Sequence, residues 1–270
     1  MMSKKTLAVT ALALLLSQQS FASETEGFYF GGGYYGQYLN LGGLKAKIGG
    51  KDATDANKVS INDRNAQSTK GQLISKYKGD YNPPFAANVA LGYTGELGNN
   101  SYRAELEGMY SSVKVDNVGL TSGQMTISYT EGSDQYGSII NHDKIENISV
   151  MANVYHYWKS DSFSFSPYVG IGVGGTRMTM FEESSMRPAG QLKAGFDYHI
   201  NEDVNMHIGY RGFGVFGSSE YKPETLKWDA QAKKMDKQTG DDKVTTTIQN
   251  GFFHTHGIEA GLTFHFASKA

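Results

Sequence analysis

The chain has no cysteine. That excludes a disulfide framework, a thiol nucleophile, a cysteine-held metal and a lipid attached to a cysteine behind a leader. Proline is scarce, with 5 residues in 270, and two of them are adjacent, Pro83 and Pro84. Long apolar runs are missing as well. Beyond the N-terminal stretch nothing approaches the roughly 20 consecutive apolar residues of a membrane-crossing helix. Neither sign of charge is in excess. The formal net charge is −2, which argues against a nucleic-acid partner. Apolar residues make up 39% of the chain and mean hydropathy is −0.43. A soluble domain shows such values, and so does a barrel whose strands meet lipid on one face only.

What the chain has instead is glycine and aromatics: 33 Gly, 17 Tyr and 14 Phe. Their arrangement is clearest at the end, from Gly257 to Phe266. Ile258, Ala260, Leu262, Phe264 and Phe266 alternate with Gly257, Glu259, Gly261, Thr263 and His265. A strand sends alternate side chains to opposite faces, so this segment has one apolar and one wet face. The same split recurs in pieces of about ten residues, the length a tilted strand needs to cross a hydrocarbon layer.

The first residues are set aside from the fold. Met1 to Lys5 is basic, Thr6 to Leu16 is mostly Leu and Ala, and Ser20-Phe21-Ala22 offers small residues for cleavage. This predicts a secretory signal over 1–22, cut after Ala22, and a single domain over 23–270.

Eight strands are expected: Phe28–Leu39, Phe85–Thr94, Tyr102–Ser112, Asn147–Trp158, Phe165–Thr176, Ala189–Ile200, Val204–Gly214 and the closing one. Strand three is the most telling, because Tyr102, Ala104, Leu106, Gly108 and Tyr110 alternate with Arg103, Glu105, Glu107, Met109 and Ser111. Three charges on one strand face suit an aqueous surface or a polar lumen better than a packed core. The connections alternate long and short. Long loops are expected over 42–84, 113–146, 177–188 and 215–253, with a short helix over Glu224–Lys237 in the last. Tight turns are expected at Glu96–Ser101, Lys159–Ser164 and Asn201–Asp203. Short periplasmic turns and long outer loops are the habit of outer-membrane barrels. The predicted fold is therefore all-β, an eight-stranded antiparallel up-and-down transmembrane β-barrel.

Two sets of residues stand out in that frame. Phe28, Tyr93, Tyr102, Trp158, Phe165, Tyr198, Phe264 and Phe266 fall at the short-turn ends, where amphipathic rings favour the membrane interface. Arg103, Glu105, Glu107, Lys193, Asp197, Arg211 and Glu259 face the lumen, three positive against four negative. Inside a narrow barrel such charges must pair or stay hydrated. Arg211 and Glu259, on neighbouring strands and level with each other, are expected to lie close. Eight strands leave an interior just wide enough for side chains to fill, so a salt-bridged plug is favoured over a lined pore.

Other chemistry finds little support. His254 and His256 share one strand face near the outer rim, but no third metal ligand is marked by spacing. No Ser/His/Asp cluster is marked either. Gly170 to Gly175 has the glycines of a phosphate loop without the following helix or a placed lysine, and is expected to serve close packing. No cofactor, metal site or enzyme activity is predicted.

Several stretches carry a resemblance. They are Tyr102-Arg103-Ala104-Glu105-Leu106-Glu107 with Val113-Lys114-Val115-Asp116-Asn117; Phe165 to Gly174 with Met180-Phe181-Glu182; Gln191-Leu192-Lys193-Ala194-Gly195; the opening Phe28-Tyr29-Phe30-Gly31-Gly32; and His256 to Gly261. The chain resembles the major surface antigen family of obligate intracellular alphaproteobacteria, the group that includes the Wolbachia surface protein. Four residues, Ala267 to Ala270, follow the terminal Phe266, where that family usually ends. The resemblance implies an antigen of the bacterial outer membrane whose loops meet host surface molecules or antibodies. Passive solute diffusion is a second role it implies, and a barrel enzyme is a further alternative to be weighed against both. Lipid of the outer membrane, and the barrel-assembly machinery acting on the C-terminal strand, are the other expected partners.

Overall fold

The computed structural model describes residues 26–41, 44–49, 58–61, 64–66, 72–74, 78–79, 85–98, 100–117, 124–131, 133–141, 144–159, 165–231, 233–238 and 243–266. The expected leader, 1–22, lies outside them, as does the 267–270 tail. Eight long strands make the body: β1 Gly27–Leu41, β2 Phe85–Leu97, β3 Asn100–Asn117, β4 Lys144–Trp158, β5 Phe165–Met180, β6 Glu183–His199, β7 Val204–Val215 and β8 Phe253–His265. Each pairs antiparallel with its neighbours in sequence, and β1 pairs with β8 from Tyr29↔His265 to Leu41↔Phe253, which closes the sheet into a barrel. Closure removes both sheet edges, so every ladder bond of the wall is made internally.

Period-two alternation decides which way each side chain points. Val89, Leu91, Leu106, Val150, Val154, Ile171, Val173, Leu192, Ile208 and Ile258 stand on the outer face and are exposed, Val173 by 66%. An apolar belt of this extent would be costly in water and is at home in hydrocarbon. The opposite face holds Arg103, Glu107, Asn153, Gln191, Lys193, Asp197, Arg211 and Glu259, all buried.

The short turns close one end. Gly98 takes a left-handed φ of 61° between β2 and β3. Between β6 and β7 the Asn201 Oδ1 accepts from the backbone N–H of Asp203 at 3.0 Å and of Val204 at 2.8 Å, the Asx geometry that lets asparagine shape a turn.

The other end departs from the sequence-based expectation in three places. The segment 177–188 is not a loop. β5 and β6 continue through it as a ladder and are joined by the two-residue turn Phe181-Glu182. Above Thr176 the strands keep their period, but on β5 the apolar side chains change face: Met178 and Met180 point inward and are buried, whereas Arg177 points outward and is exposed, opposite the outward Met186 of β6. The pattern inverts because the outside is no longer lipid and the inside is no longer the ionic lumen. The same inversion places Val113, Ile145, Val215 and Phe253 inward, at the long-loop ends of their strands.

Second, Glu224–Lys237 is not a helix. It contains strands Leu226–Asp229 and Lys234–Lys237, paired with each other. Third, the long connections carry strands that pair across connections. A six-stranded sheet runs Lys234–Lys237, Leu226–Asp229, Asp134–Asn141, Gln124–Glu131, Lys58–Ile61, Arg64–Ala66, drawing on the first, second and last long connections. A four-stranded sheet runs Ser219–Tyr221, Thr245–Asn250, Leu44–Gly49, Gln72–Ile74, from the last and the first. These strands widen nothing; they build a cap over an eight-stranded barrel.

Candidate functional site

Among the described residues the lumen carries a dense set of ion pairs, and it is layered. Nearest the short turns, Arg103 is held by Asp197 at 2.6 Å (Nη2 to Oδ2), donates to the Tyr157 hydroxyl at 2.9 Å and to Thr94 Oγ1 at 3.2 Å, and lies 4.4 Å over the Tyr157 ring. Asn205 Nδ2 donates to the same Asp197 oxygen at 3.0 Å.

The middle layer centres on Glu107. One of its oxygens accepts from Arg211 Nη1 at 2.7 Å and Asn88 Nδ2 at 2.9 Å. The other accepts from Asn153 and Gln191, each at 2.8 Å, and from Lys193 at 3.1 Å. Arg211 Nη1 also lies 3.4 Å from Glu259 Oε2, and its Nη2 donates to Gln191 Oε1. Lys193 Nζ stands between three carboxylates, 3.1 Å from Glu107, 3.6 Å from Glu259 and 3.9 Å from Glu105. Glu105 accepts from Tyr29 at 2.7 Å, Asn153 at 2.8 Å and the Tyr155 hydroxyl. Each charge thus has opposite charges or hydrogen-bond donors around it, the condition for keeping ions in a narrow interior. A cavity of about 30 Å³ beside these residues has room for about one water.

The seven lumen charges singled out above therefore form two connected groups, Arg103 with Asp197, and Glu105, Glu107, Lys193, Arg211 and Glu259 together. Their neutral partners Tyr29, Asn88 and Thr94 did not stand out in the sequence. Only their parity on β1 and β2 marks them as inward.

The outermost layer is apolar. Met109, Met151, Met178, Ala189, Phe213, Val215 and Phe253 from the wall pack with Ile127, Tyr136 and Ile248 from the cap strands and with Val244, just ahead of one of them. A hydroxyl triad of Ser138, Thr225 and Thr246, with oxygens 3.0 to 3.1 Å apart, fastens the second long connection to the last. Arg187, buried on β6 where the sequence suggested loop, ties down the neck of the last connection through the carbonyls of Phe216 at 3.2 Å and Gly217. No signal of spacing marked it.

The inward glycines of β5 make room for this filling. A methyl group at Gly170 would overlap the Tyr155 ring, whose hydroxyl serves Glu105. Gly170→Ala is expected to cost about 1–3 kcal/mol by overpacking, read as a lower thermal midpoint in detergent micelles. An unchanged midpoint would show that Tyr155 moves freely and that the layer is not close-packed.

The eight aromatics singled out above lie on the outer face around the short-turn end. Phe28 and Tyr93 meet edge-to-face at 5.3 Å, and Phe165 meets Phe196 the same way at 5.5 Å. Tyr102, Trp158, Phe264 and Phe266 are exposed, and Tyr198 pairs with Phe165 in the ladder. His254 and His256 stand on the outer wall as well, their rings stacked at 5.3 Å, with Tyr210 hydrogen-bonded to His256 at 2.5 Å and Tyr38 beside it. The ring of Phe252 stacks on His254 at 6.0 Å.

A closed eight-stranded barrel, apolar outside, ion-paired inside and with its three long connections all at one end, defines a transmembrane β-barrel of the outer-membrane type. The family model described as "Surface antigen" matches residues 21–266, and the chain belongs to that family. No curated protein matches it. Among solved structures it is similar to Neisserial surface protein A, at 13% identity over 88% of this chain and 97% of that one, with a TM-score of 0.38. OprG from Pseudomonas aeruginosa matches at 11% identity over 91% and 99%, with a TM-score of 0.44. Ail, the attachment invasion locus protein of Yersinia pestis, matches at 13% over 87% and 99%, with a TM-score of 0.25.

Proposed function

We propose that this surface antigen is a display platform: a closed barrel that anchors in the outer membrane and holds a folded cap outside, where it meets host molecules or antibodies. The observation that carries the reading is the cap itself. Strands from three connections share one six-stranded sheet and are sealed to the barrel by an apolar cluster. Such a cap presents one composite surface instead of separate loops. In this reading the aromatics of the short-turn end sit at the periplasmic interface with lipid, and the C-terminal strand is what the assembly machinery engages. Export after removal of residues 1–22 belongs to the same proposal.

The filled lumen speaks for anchoring over solute diffusion. Refolded protein in a planar bilayer is expected to show no steady conductance, and liposomes carrying it no swelling in sugars. Steady conductance with sugar uptake would replace the display platform by a porin. On intact cells, external protease is expected to cut within the cap connections and leave the barrel whole. Cuts confined to permeabilised cells would place the cap on the wrong side of the membrane for display.

A further inference from the structure

A cleft of about 290 Å³ opens at the cap end, between the tip of the β5–β6 hairpin and strand Ser219–Tyr221. Its wall is apolar: Met178, Met180 and Ile248 are buried, and the rings of Phe181 and Tyr221 stack at 5.5 Å with 27° between planes. The turn residues Phe181 and Glu182 both have positive φ, 55° and 65°, a conformation usually left to Asn and Gly in two-residue hairpins. Burial of the Phe181 ring beside Tyr221 is what accompanies that backbone. The hydroxyls of Ser185 and Ser219, 2.8 Å apart, bridge the hairpin to the cap strand.

The mouth is acidic. Glu183 and Glu220 line it and are exposed, and the described lining residues include no Lys, Arg or His; Arg187 Nη1 lies 3.3 Å from Met178 Sδ and Arg177 Nη2 3.4 Å from Ser184 Oγ. Gln249 Nε2 donates to Glu220 at 3.0 Å, which positions that carboxylate without neutralising it. Neither glutamate takes part in an ion pair among the described residues. Burial first, and then the carboxylates of Glu183 and Glu182, push the Tyr221 phenol above its ordinary range, so the negative charge is felt at the aromatic wall.

We propose that this cleft takes a cation carried on an apolar stem, in the form of a lysine side chain from a partner peptide. The stem would lie against the methionines and ring faces, which attract a cation as well as a methylene chain. The ammonium would reach the two glutamates and the serine hydroxyls. This assignment rests on the display reading only for the side of the membrane on which the partner is met.

The test uses the full chain in detergent micelles with methyl-labelled methionines. The probes are Nα-acetyl-lysine N-methylamide and its uncharged norleucine analogue. The lysine probe is expected to shift the Met178 and Met180 methyl signals saturably, and the norleucine probe to leave them in place. Glu183→Gln with Glu220→Gln, both at exposed positions, is expected to weaken the lysine probe by about tenfold while the remaining methyl signals keep their wild-type positions. Equal response to both probes would reduce the cleft to an apolar slot and overturn the proposal. So would silence to tens of millimolar, or a double variant that binds as well as wild type. Micelles have no inside or outside, so failure here leaves the display platform standing. Failure of protease to reach the cap on intact cells would leave the cleft chemistry standing.

Discussion

Replacing Arg211 by methionine is expected to lower the stability of the barrel by about 3–5 kcal/mol, the usual cost of stranding a buried partner charge. Arg211 is fully buried, and its guanidinium serves Glu107 at 2.7 Å, Glu259 at 3.4 Å and Gln191. Without it, Lys193 alone faces Glu105, Glu107 and Glu259. One ammonium cannot neutralise three carboxylates, and the cavity of about 30 Å³ beside them has room for about one water. The methionine has nearly the arginine's volume, so a cavity is not the main effect. Adding Glu107→Gln to Arg211→Met removes the stranded charge and is expected to recover part of the loss. The measurement is the urea midpoint of protein refolded in vesicles, with the heat-dependent gel shift of the folded barrel as a second readout. If the single variant matches wild type, or if the double variant is worse than the single, the ionic layer is not what ties β3, β6, β7 and β8 across the lumen.

The second large effect concerns the cap. Excising residues 219–250 and joining the ends by a short turn is expected to leave the barrel folded and to unfold the cap strands that remain. The deletion takes away Leu226–Asp229, which pairs with Asp134–Asn141, and Thr245–Asn250, which pairs with Leu44–Gly49. It also removes Thr225, Val244, Thr246 and Ile248, and so uncovers Ile127, Tyr136 and Ser138. A buried side chain of the size of Ile or Tyr contributes about 1.5–3 kcal/mol. Cleavage within 124–141 by a dilute protease is therefore expected to accelerate about a hundredfold, equivalent to about 2.8 kcal/mol of lost protection. The gel shift of the barrel should persist. Cleavage at the wild-type rate would mean that the connections fold independently and that the shared sheet adds nothing to their order.

The barrel was legible in the sequence because its strands live between two constant environments. Lipid on one side and a wet lumen on the other impose a single phase on the alternation, as in Ile258, Ala260 and Leu262 against Glu259 and Thr263. The expected strands end where that phase ends. At Thr176 the apolar residues switch face, Met178 and Met180 turning inward, and a reader following the outward phase finds apparent loop where the ladder continues to Met180. Cap strands were hidden for another reason. They have 3 to 8 residues in the two sheets, and their partners lie in other connections, as Lys58–Ile61 does with Gln124–Glu131. Nothing local announces such a pairing. In the stretch from Glu224 to Lys237 the Ala, Gln and Lys content favours a helix, and pairing of Tyr136 and Gly137 with Lys227 and Leu226 overrides it. The ionic groups were visible as inward charges. Which oxygen serves which cation depends on barrel shear, and that is not written in any one strand.

The interlaced cap has a consequence for the order of assembly. Its six-stranded sheet needs segments that precede β2, β4 and β8, so it is complete only when the connection after β7 has arrived. That is the moment at which β8 can meet β1 and close the wall. With the cap outside, as proposed, its paired strands and exposed charges cannot be drawn back through hydrocarbon. Completion of the cap would then work as a latch, with the chain free to slip back before the last connection arrives and not after it.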